Sequence, residues 1–333
     1  MNILIRYSPI TTPSLKNCAR VALQVNQRPY YSLYKPFISR KMATVDTSLP
    51  AHPTGAAAKF AEAHAAEHAL KLYGGWFCPF VQRAWIVLHE KNIPHQYVEI
   101  NPYQKAPEFL ALNPRGLVPT LAVPTVAEGK NENSGKENKA IKPLYESTIV
   151  CEYLDEGYAE NALLPRGFDE GNVYERARCR LWIEHIGSKI VPAFYKFLQH
   201  TPEKDYTIEE ARENFLGNIK SFVREMDDGD NEPWFLGSRF SLVDIMLAPW
   251  VKRMFLIDHY KPGGVGIPEE GKAGEDEEVW KRWRAWFGAI TQRKSVLDTW
   301  SEDEMYIMAY KRYAEDTTQS EVAKATRKGQ KLP

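Results

Sequence analysis

The side chain best placed for chemistry is Cys78, in the run LKLYGGWFCPFVQRAW at residues 70–85. Leu70–Tyr73 reads as a short apolar strand and Gly74-Gly75 as a break. Val81, Ala84, Trp85 and Leu88 then recur at i, i+3, i+4 and i+7, the spacing of a helix. Pro79 fits the first helical position, where its missing N–H costs nothing. Cys78 therefore stands at a helix opening, where the dipole and the unpaired N–H groups favour an anion. A thiol so placed is expected to ionise more readily, and the thiolate is the nucleophile. A free cysteine is more commonly a small buried hydrophobe, but the strand–Gly–Cys–Pro–helix arrangement favours the reactive reading.

Three further stretches bear on chemistry. Ser147 precedes a helical run, Thr148–Glu156, with Ile149, Val150, Tyr153 and Leu154 on one face and Gly157 as a C-cap candidate. Ser147 reads as the N-cap, or its hydroxyl and the free N–H groups hold a carboxylate. Pro119 interrupts an apolar strand, Leu117–Val123, where it cannot donate to a ladder; a cis Val118-Pro119 bond is one geometry that fits. It would aim the Val118 backbone away from a neighbouring strand. His64, Glu67 and His68 spell H-x-x-E-H, a metalloprotease spacing. They lie in an Ala-rich segment, Gly55–Ala69, with no third ligand evident, and suit a polar helix face, so no metal site is expected.

The elements that must position these residues follow from composition and order. The 333 residues suit two domains, with 44% hydrophobic and 26% charged residues. Lys+Arg and Asp+Glu both number 43. Residues 1–41 hold seven basic residues and no acidic one, which leaves the rest with 36 basic against 43 acidic residues. An acidic body argues against generic nucleic-acid binding. No run approaches the roughly 20 apolar residues of a transmembrane helix. The Arg-bearing, acid-free leader resembles a mitochondrial transit peptide; a disordered basic tail, or an untargeted form starting at Met42, would also fit. The location is thus expected to be cytoplasmic or mitochondrial. Of Cys18, Cys78, Cys151 and Cys179, the first would leave with a cleaved leader, and three cysteines are no disulfide framework. A reducing compartment is implied.

After the Cys78 helix come a strand at His95–Asn101, a short helix at Ala106–Leu112, the turn Asn113-Pro114-Arg115-Gly116, the Pro119 strand, a polar surface loop at 127–142, and a strand at Pro143–Tyr145. The order is β-α-β-α-β-β-α. Beyond a Pro/Gly-bearing linker the patterns are helical: Trp182, Ile183, Ile186 and Ile190 share a face, and Phe215, Ile219, Phe222 and Met226 follow a Thr207/Glu210 capping box. A second box, Ser241/Asp244, opens a nearly all-apolar helix, Ile245–Leu256, and is read as structural. Trp280, Trp283 and Trp286 form a stripe. Residues 260–278 form a Gly/Pro- and acid-rich loop, and Ser301–Asp316 suits one more helix.

The motifs FCPF at Phe77–Phe80, NPxGLVPTL at Asn113–Leu121 and LYESTIVCEYLDEGY at Leu144–Tyr158 resemble those of glutathione transferases, and the cysteine resembles that of the omega class. The resemblance covers about Leu70 to Trp300. It implies an α/β thioredoxin-like domain at 69–157, a linker at 158–171 and an all-helical acceptor-site domain at 172–316. These lie between a leader with the Ala-rich segment at 1–68 and a tail at 317–333 expected to be disordered. By position it implies that Cys78 forms a mixed disulfide with glutathione, with Phe80 beside it. It also implies that the Val118 backbone before a cis Pro119 pairs with the cysteinyl amide. Glu146 and Ser147 would take the γ-glutamyl ammonium and carboxylate, Lys105 the glycyl carboxylate, and Trp286 would border the acceptor. Glutathione is then the co-substrate, with no metal. The partners are a small electrophile or disulfide acceptor and a second copy of the chain in a homodimer. Val81 stands where a dithiol exchanger has its second cysteine, so glutathione must resolve the mixed disulfide. The implied reactions are reduction of disulfides, dehydroascorbate and glutathionyl ketones. The alternatives are a glutathionyl-hydroquinone reductase, whose motif more often has tryptophan where Phe80 stands, a pathway-specific transferase, or a non-enzymatic glutathione-binding regulator.

Overall fold

The computed structural model describes residues 50–102, 104–126, 139–227 and 232–333, and all of these belong to one compact unit. The basic leader, Met42 and positions 127–138 of the expected loop lie outside the described residues.

A four-stranded mixed sheet runs in the order β2-β1-β3-β4, with β1 at Lys71–Gly74, β2 at Gln96–Glu99, β3 at Thr120–Val126 and β4 at Lys139–Tyr145. β1 and β2 are parallel, joined through helix α2 (Pro79–Glu90); β3 runs antiparallel to both β1 and β4. The register sets Tyr97, Leu72, Leu121 and Leu144 in one row across the sheet, so one face of it is apolar. The short helix α3 (Pro107–Leu112) and α4 (Ser147–Gly157) complete the expected β-α-β-α-β-β-α order. β3 begins one residue after Pro119, so the proline sits ahead of the ladder. β4 is longer than expected: Ile141 pairs with Pro124 and Lys142 with Val123, which makes strand of residues read as loop. The partner strand supplies what local polarity hides.

The apolar stripe of α2 is buried as its spacing predicts, but Gln82, Arg83, Ile86 and Val87 are buried as well. The cause is two-sided packing: α4 covers one face and α8 (Leu242–Lys252) the other. The Ala-rich segment also folds. Helix α1 (Gly55–Ala63) docks against α11 (Lys294–Asp298), with Ala57 buried and its N–H donating to Trp300 O (3.2 Å). The His64 ring stacks on His95 with centroids 4.3 Å apart.

The remaining elements are helical: α5 (Glu170–His185), a π-helical turn Ile186–Ile190, α6 (Val191–Leu198), α7 (Ile208–Arg224), α9 (Phe255–Tyr260), α10 (Glu277–Gln292), α12 (Asp303–Ala314) and α13 (Glu321–Arg327). Both capping boxes form. Thr207 N–H donates to Glu210 Oε2 (2.7 Å) and Glu210 N–H to Thr207 Oγ1 (3.1 Å). Asp244 Oδ2 accepts from Ser241 N–H and Oγ–H, both at 2.8 Å. The tail corrects its expectation: residues 317–333, read as disordered, contain α13. Ser320 Oγ caps it by accepting from Ala323 N–H (3.1 Å), and Ala323 is fully buried. Small alanines let this helix pack closely on α6 without the large apolar residues that would have signalled it.

Trp286 is also corrected. It is fully buried, its ring packs on Phe222 and Trp283, and its Nε1–H donates to Asp244 Oδ1 (2.8 Å). It belongs to the helical core and does not border the cleft described below. Trp286→Phe removes one of the donors to a buried carboxylate. The expected outcome is a loss of about 1.5–3 kcal/mol in chemical unfolding with an unchanged KM for the acceptor; a raised acceptor KM at unchanged stability would contradict the core assignment.

Candidate active site

Gly74 closes β1 beneath α2, and a Cβ there would collide with the Val81 side chain. The chain then turns so that Cys78 N–H donates to Gly75 O (2.9 Å). Cys78 becomes the N-cap of α2, extended at φ −78° and ψ 119°, with Pro79 opening the helix. The turn is anchored from two directions. Glu99 Oε1 accepts from Trp76 N–H (3.0 Å), and Phe77 O accepts from Arg253 Nη2 (3.2 Å) and from the Tyr310 hydroxyl (3.1 Å). Arg253 is fully buried just after α8 and also donates to Gln82 Oε1 (2.6 Å) and Pro249 O (2.7 Å).

Cys78 lies half-buried on a cleft of about 590 Å³, within the roughly 300–1,000 Å³ of small-molecule sites. The cleft brings together Phe80, Lys105, Val118, Pro119, Glu146 and Ser147. Phe80 is fixed edge-on to Trp250, with centroids 5.0 Å apart. The Val118-Pro119 bond is cis, and Val118 lies outside the strand register, which starts at Thr120. Asn113 holds this turn: its Nδ2 donates to Leu117 O (3.2 Å) and Thr120 Oγ1 (2.9 Å), and its Oδ1 accepts from Arg115 N–H (3.1 Å). Lys105 Nζ lies beside Gly116, whose φ of +62° suits glycine. Burial pulls the Lys105 amine below its ordinary value, and Glu321 on α13 pushes it back up.

At α4 the cap differs from expectation. The N-cap is Glu146, in the left-handed region at φ +69°, and Ser147 is the first helical residue. That backbone conformation costs a side-chain-bearing residue about 1–3 kcal/mol. The Glu146 carboxylate accepts from Arg115 Nη1 (2.7 Å), and the Arg115 guanidinium lies 5.3 Å from the Tyr145 ring centre. Ser147 Oγ accepts from Arg83 Nη1 (3.1 Å). The opposite wall comes from Ile183, Tyr313, Val322 and Leu332.

The sequence patterns of the glutathione S-transferase N-terminal domain and C-terminal domain match residues 77–156 and 205–289. Glutathione S-transferase omega-1 of Sus scrofa is 34% identical over 190 residues, which cover 56% of this chain and 68% of that one. Glutathione transferase Omega 3C of Trametes versicolor is 38% identical, with a TM-score of 0.62 over 81% of this chain and 100% of that structure. The chain belongs to the omega class of the glutathione transferases. Pyrimidodiazepine synthase of Drosophila melanogaster is 30% identical, over 56% of this chain and 66% of that one. This omega-class chain is accordingly a glutathione-dependent transferase or reductase of α/β plus all-helical architecture.

The electrostatics of the transferase's cysteine depart from expectation. Burial pushes the Cys78 thiol above its ordinary value. The Val81 and Phe80 N–H groups at the helix opening oppose this, as do the Arg253 and Arg83 guanidinium groups, but they do not overcome it. Burial thus works against the ready ionisation expected of a helix opening. Neither Arg83 nor Arg253 was legible in the sequence, because the bonds that tie them to the site, to Ser147 and to Phe77 O, span 64 and 176 positions. With the thiol pushed upward, the thiolate fraction is set to rise as pH climbs. Alkylation of Cys78 by iodoacetamide, followed by mass spectrometry, is expected to accelerate about tenfold per pH unit from pH 7 to 9. A rate that is flat across that range would show a thiolate already formed.

Proposed function

We propose that this omega-class transferase reduces glutathione mixed disulfides through a covalent Cys78–glutathione intermediate. The observation that carries the reading is the cleft itself, which gathers a cysteine at a helix opening, a cis-proline turn, Glu146, Ser147 and Lys105 around one volume. In it, the Val118 main chain pairs with the cysteinyl amide of glutathione. Glu146 and Ser147 take the γ-glutamyl ammonium and carboxylate, and Lys105 takes the glycyl carboxylate by a charge-assisted contact. The Cys78 thiolate attacks the glutathione sulfur of an R–S–S–glutathione substrate. That S–S bond breaks, a Cys78–S–S–glutathione bond forms, and R–S⁻ leaves and is protonated. A second glutathione thiolate attacks the bound glutathione sulfur, releasing glutathione disulfide and restoring Cys78. Val81, three residues on, is fully buried and offers no thiol. Cys151 and Cys179 are buried, and burial pushes both thiols up to about 12. Among the described residues no second thiol is placed to resolve the intermediate, and glutathione takes that role. The apolar residues Ile183, Tyr313, Val322 and Leu332 on the far wall suit an acceptor with an apolar body.

Cys78→Ser tests the mechanism. Turnover of hydroxyethyl disulfide with glutathione is expected to fall at least about a thousandfold, while glutathione affinity measured by calorimetry changes little. Retained turnover would refute the covalent step.

The reading includes a homodimer. Ile149 and Tyr153 on α4, with Val173, Tyr174 and Leu181 on α5, are exposed apolar side chains, Tyr174 at 66% and Leu181 at 62%. Arg180 ties the two helices together through Glu152 (2.8 Å) and Glu156 (3.3 Å). Exposed apolar side chains on neighbouring helices support an interface here. A Tyr174→Glu, Leu181→Glu double variant is expected to sediment as a 38.2 kDa monomer and the parent chain at twice that mass; a monomeric parent would remove the dimer from the reading.

A further inference from the structure

Arg83 follows Cys78 by five residues on α2 and is 3% exposed. Its Nε donates to Met246 O (3.0 Å) and its Nη1 to Ser147 Oγ (3.1 Å). The guanidinium lies 4.3 Å from the Trp250 ring centre and 5.6 Å from that of Phe80. Its Nη2 is buried and has no hydrogen-bond partner among the described residues, yet the side chain borders the cleft. Burial lowers its pKa only to about 10, so it is a cation at neutral pH. A buried cation with a spare donor is unfavourable until an anion arrives. Glu146, which follows Tyr145 and precedes Ser147 on the cleft, is already engaged by Arg115.

The bond to Ser147 has a direction. A hydroxyl carries one hydrogen and two acceptor sites. With Arg83 donating into one acceptor site, the Ser147 hydrogen is left to donate elsewhere, and Ser147 borders the cleft. We infer that Arg83 is a positioning residue for the α-carboxylate of the γ-glutamyl end of glutathione, fixing Ser147 so that its hydroxyl donates to that carboxylate and placing a buried positive charge behind it. This rests on the reading that Ser147 receives that carboxylate. Trp250 and Phe80 hold the guanidinium in place, so the positive charge stands ready before the peptide binds.

The test is calorimetry on the full chain with two reduced peptides: glutathione, and 4-aminobutyryl-cysteinylglycine, which lacks only that carboxylate. The parent protein is expected to prefer glutathione by about tenfold or more, the usual worth of a charge-assisted hydrogen bond. In Arg83→Met the glutathione affinity is expected to drop by about tenfold while the analogue changes by less than about twofold, so the preference collapses. In Arg83→Lys, which keeps the charge and loses the fork, part of the preference returns. Equal loss on both peptides would make Arg83 merely structural and overturn the inference, as would an undiminished preference in Arg83→Met. If Arg83→Met does not fold, Arg83→Lys decides: a partial fall in preference supports the inference, and an equal change on both peptides overturns it. A parent protein that binds glutathione without preferring it over the analogue would overturn the Ser147 reading and this inference together. A parent that prefers glutathione alongside an Arg83→Met that also prefers it would overturn this inference alone.

Discussion

The position of the reactive sulfur depends on one buried cation. Arg253 lies between α8 and α9 in the helical half, yet its bonds reach Phe77 O and Gln82 Oε1 on either side of Cys78. Taking a guanidinium out of water costs several kcal/mol unless its donors are satisfied. Here the terminal nitrogens make three hydrogen bonds, Nε makes none among the described residues, and the aromatic rings of Tyr306 and Trp300 lie 4.7 and 4.9 Å from the guanidinium carbon. The bonds are directional, so the opening of α2 can occupy only one place against the helices. Tyr310 repeats the constraint by donating to the same Phe77 carbonyl. The two halves of the protein are thereby fixed relative to each other at the edge of the cleft.

The same burial that fixes the sulfur raises the cost of charging it. The helix-opening N–H groups and two guanidinium groups pull the thiol one way, and desolvation pulls it further the other way. For disulfide exchange this cuts twice. A thiolate drawn from a weaker acid is intrinsically the stronger nucleophile, so each ionised Cys78 reacts faster than a low-pKa thiolate would. It is also the poorer leaving group when a second glutathione attacks. At neutral pH the smaller ionised fraction outweighs the gain in nucleophilicity, so in the proposed cycle both the attack and the release of Cys78 depend on glutathione being held in line.

What could be read without the structure had local causes. The FCPF opening, the cis-proline turn and both capping boxes are set by residues within a few positions of one another, and each forms. The departures have distant causes. Ser147 resembled an N-cap because its neighbours define a helix start, but Arg83, 64 positions earlier, takes its hydroxyl, and Glu146 assumes the cap with a positive φ. Trp286 sat at a spacing shared by core and cleft, and the partner that decides between them, Asp244, is 42 positions away. Residues 139–142 looked like loop because their β-partners lie across a connection whose pairing no local pattern reveals. α13 was hidden because two alanines and a serine cap carry no strong periodicity.

The two walls of the cleft are built to different standards. The side proposed to hold glutathione rests on the sheet, on Asn113 with three side-chain hydrogen bonds, and on helix openings locked by buried cations. The acceptor side borrows residues from the far end of the chain. Val322 and Leu332 stand there because α13 packs through Ala323 and because Arg327 pairs with Asp316 (2.9 Å) and bonds to Thr318 O. Partly exposed ion pairs of this kind contribute about 1 kcal/mol or less. The rigid wall therefore presents the groups proposed to hold a constant peptide, and the lightly held wall faces the variable acceptor. The two meet at Lys105, where Glu321 from α13 offsets part of the desolvation of an amine on the glutathione side. A displacement of α13 would therefore change the charge balance at Lys105 as well as the shape of the cleft beside Val322.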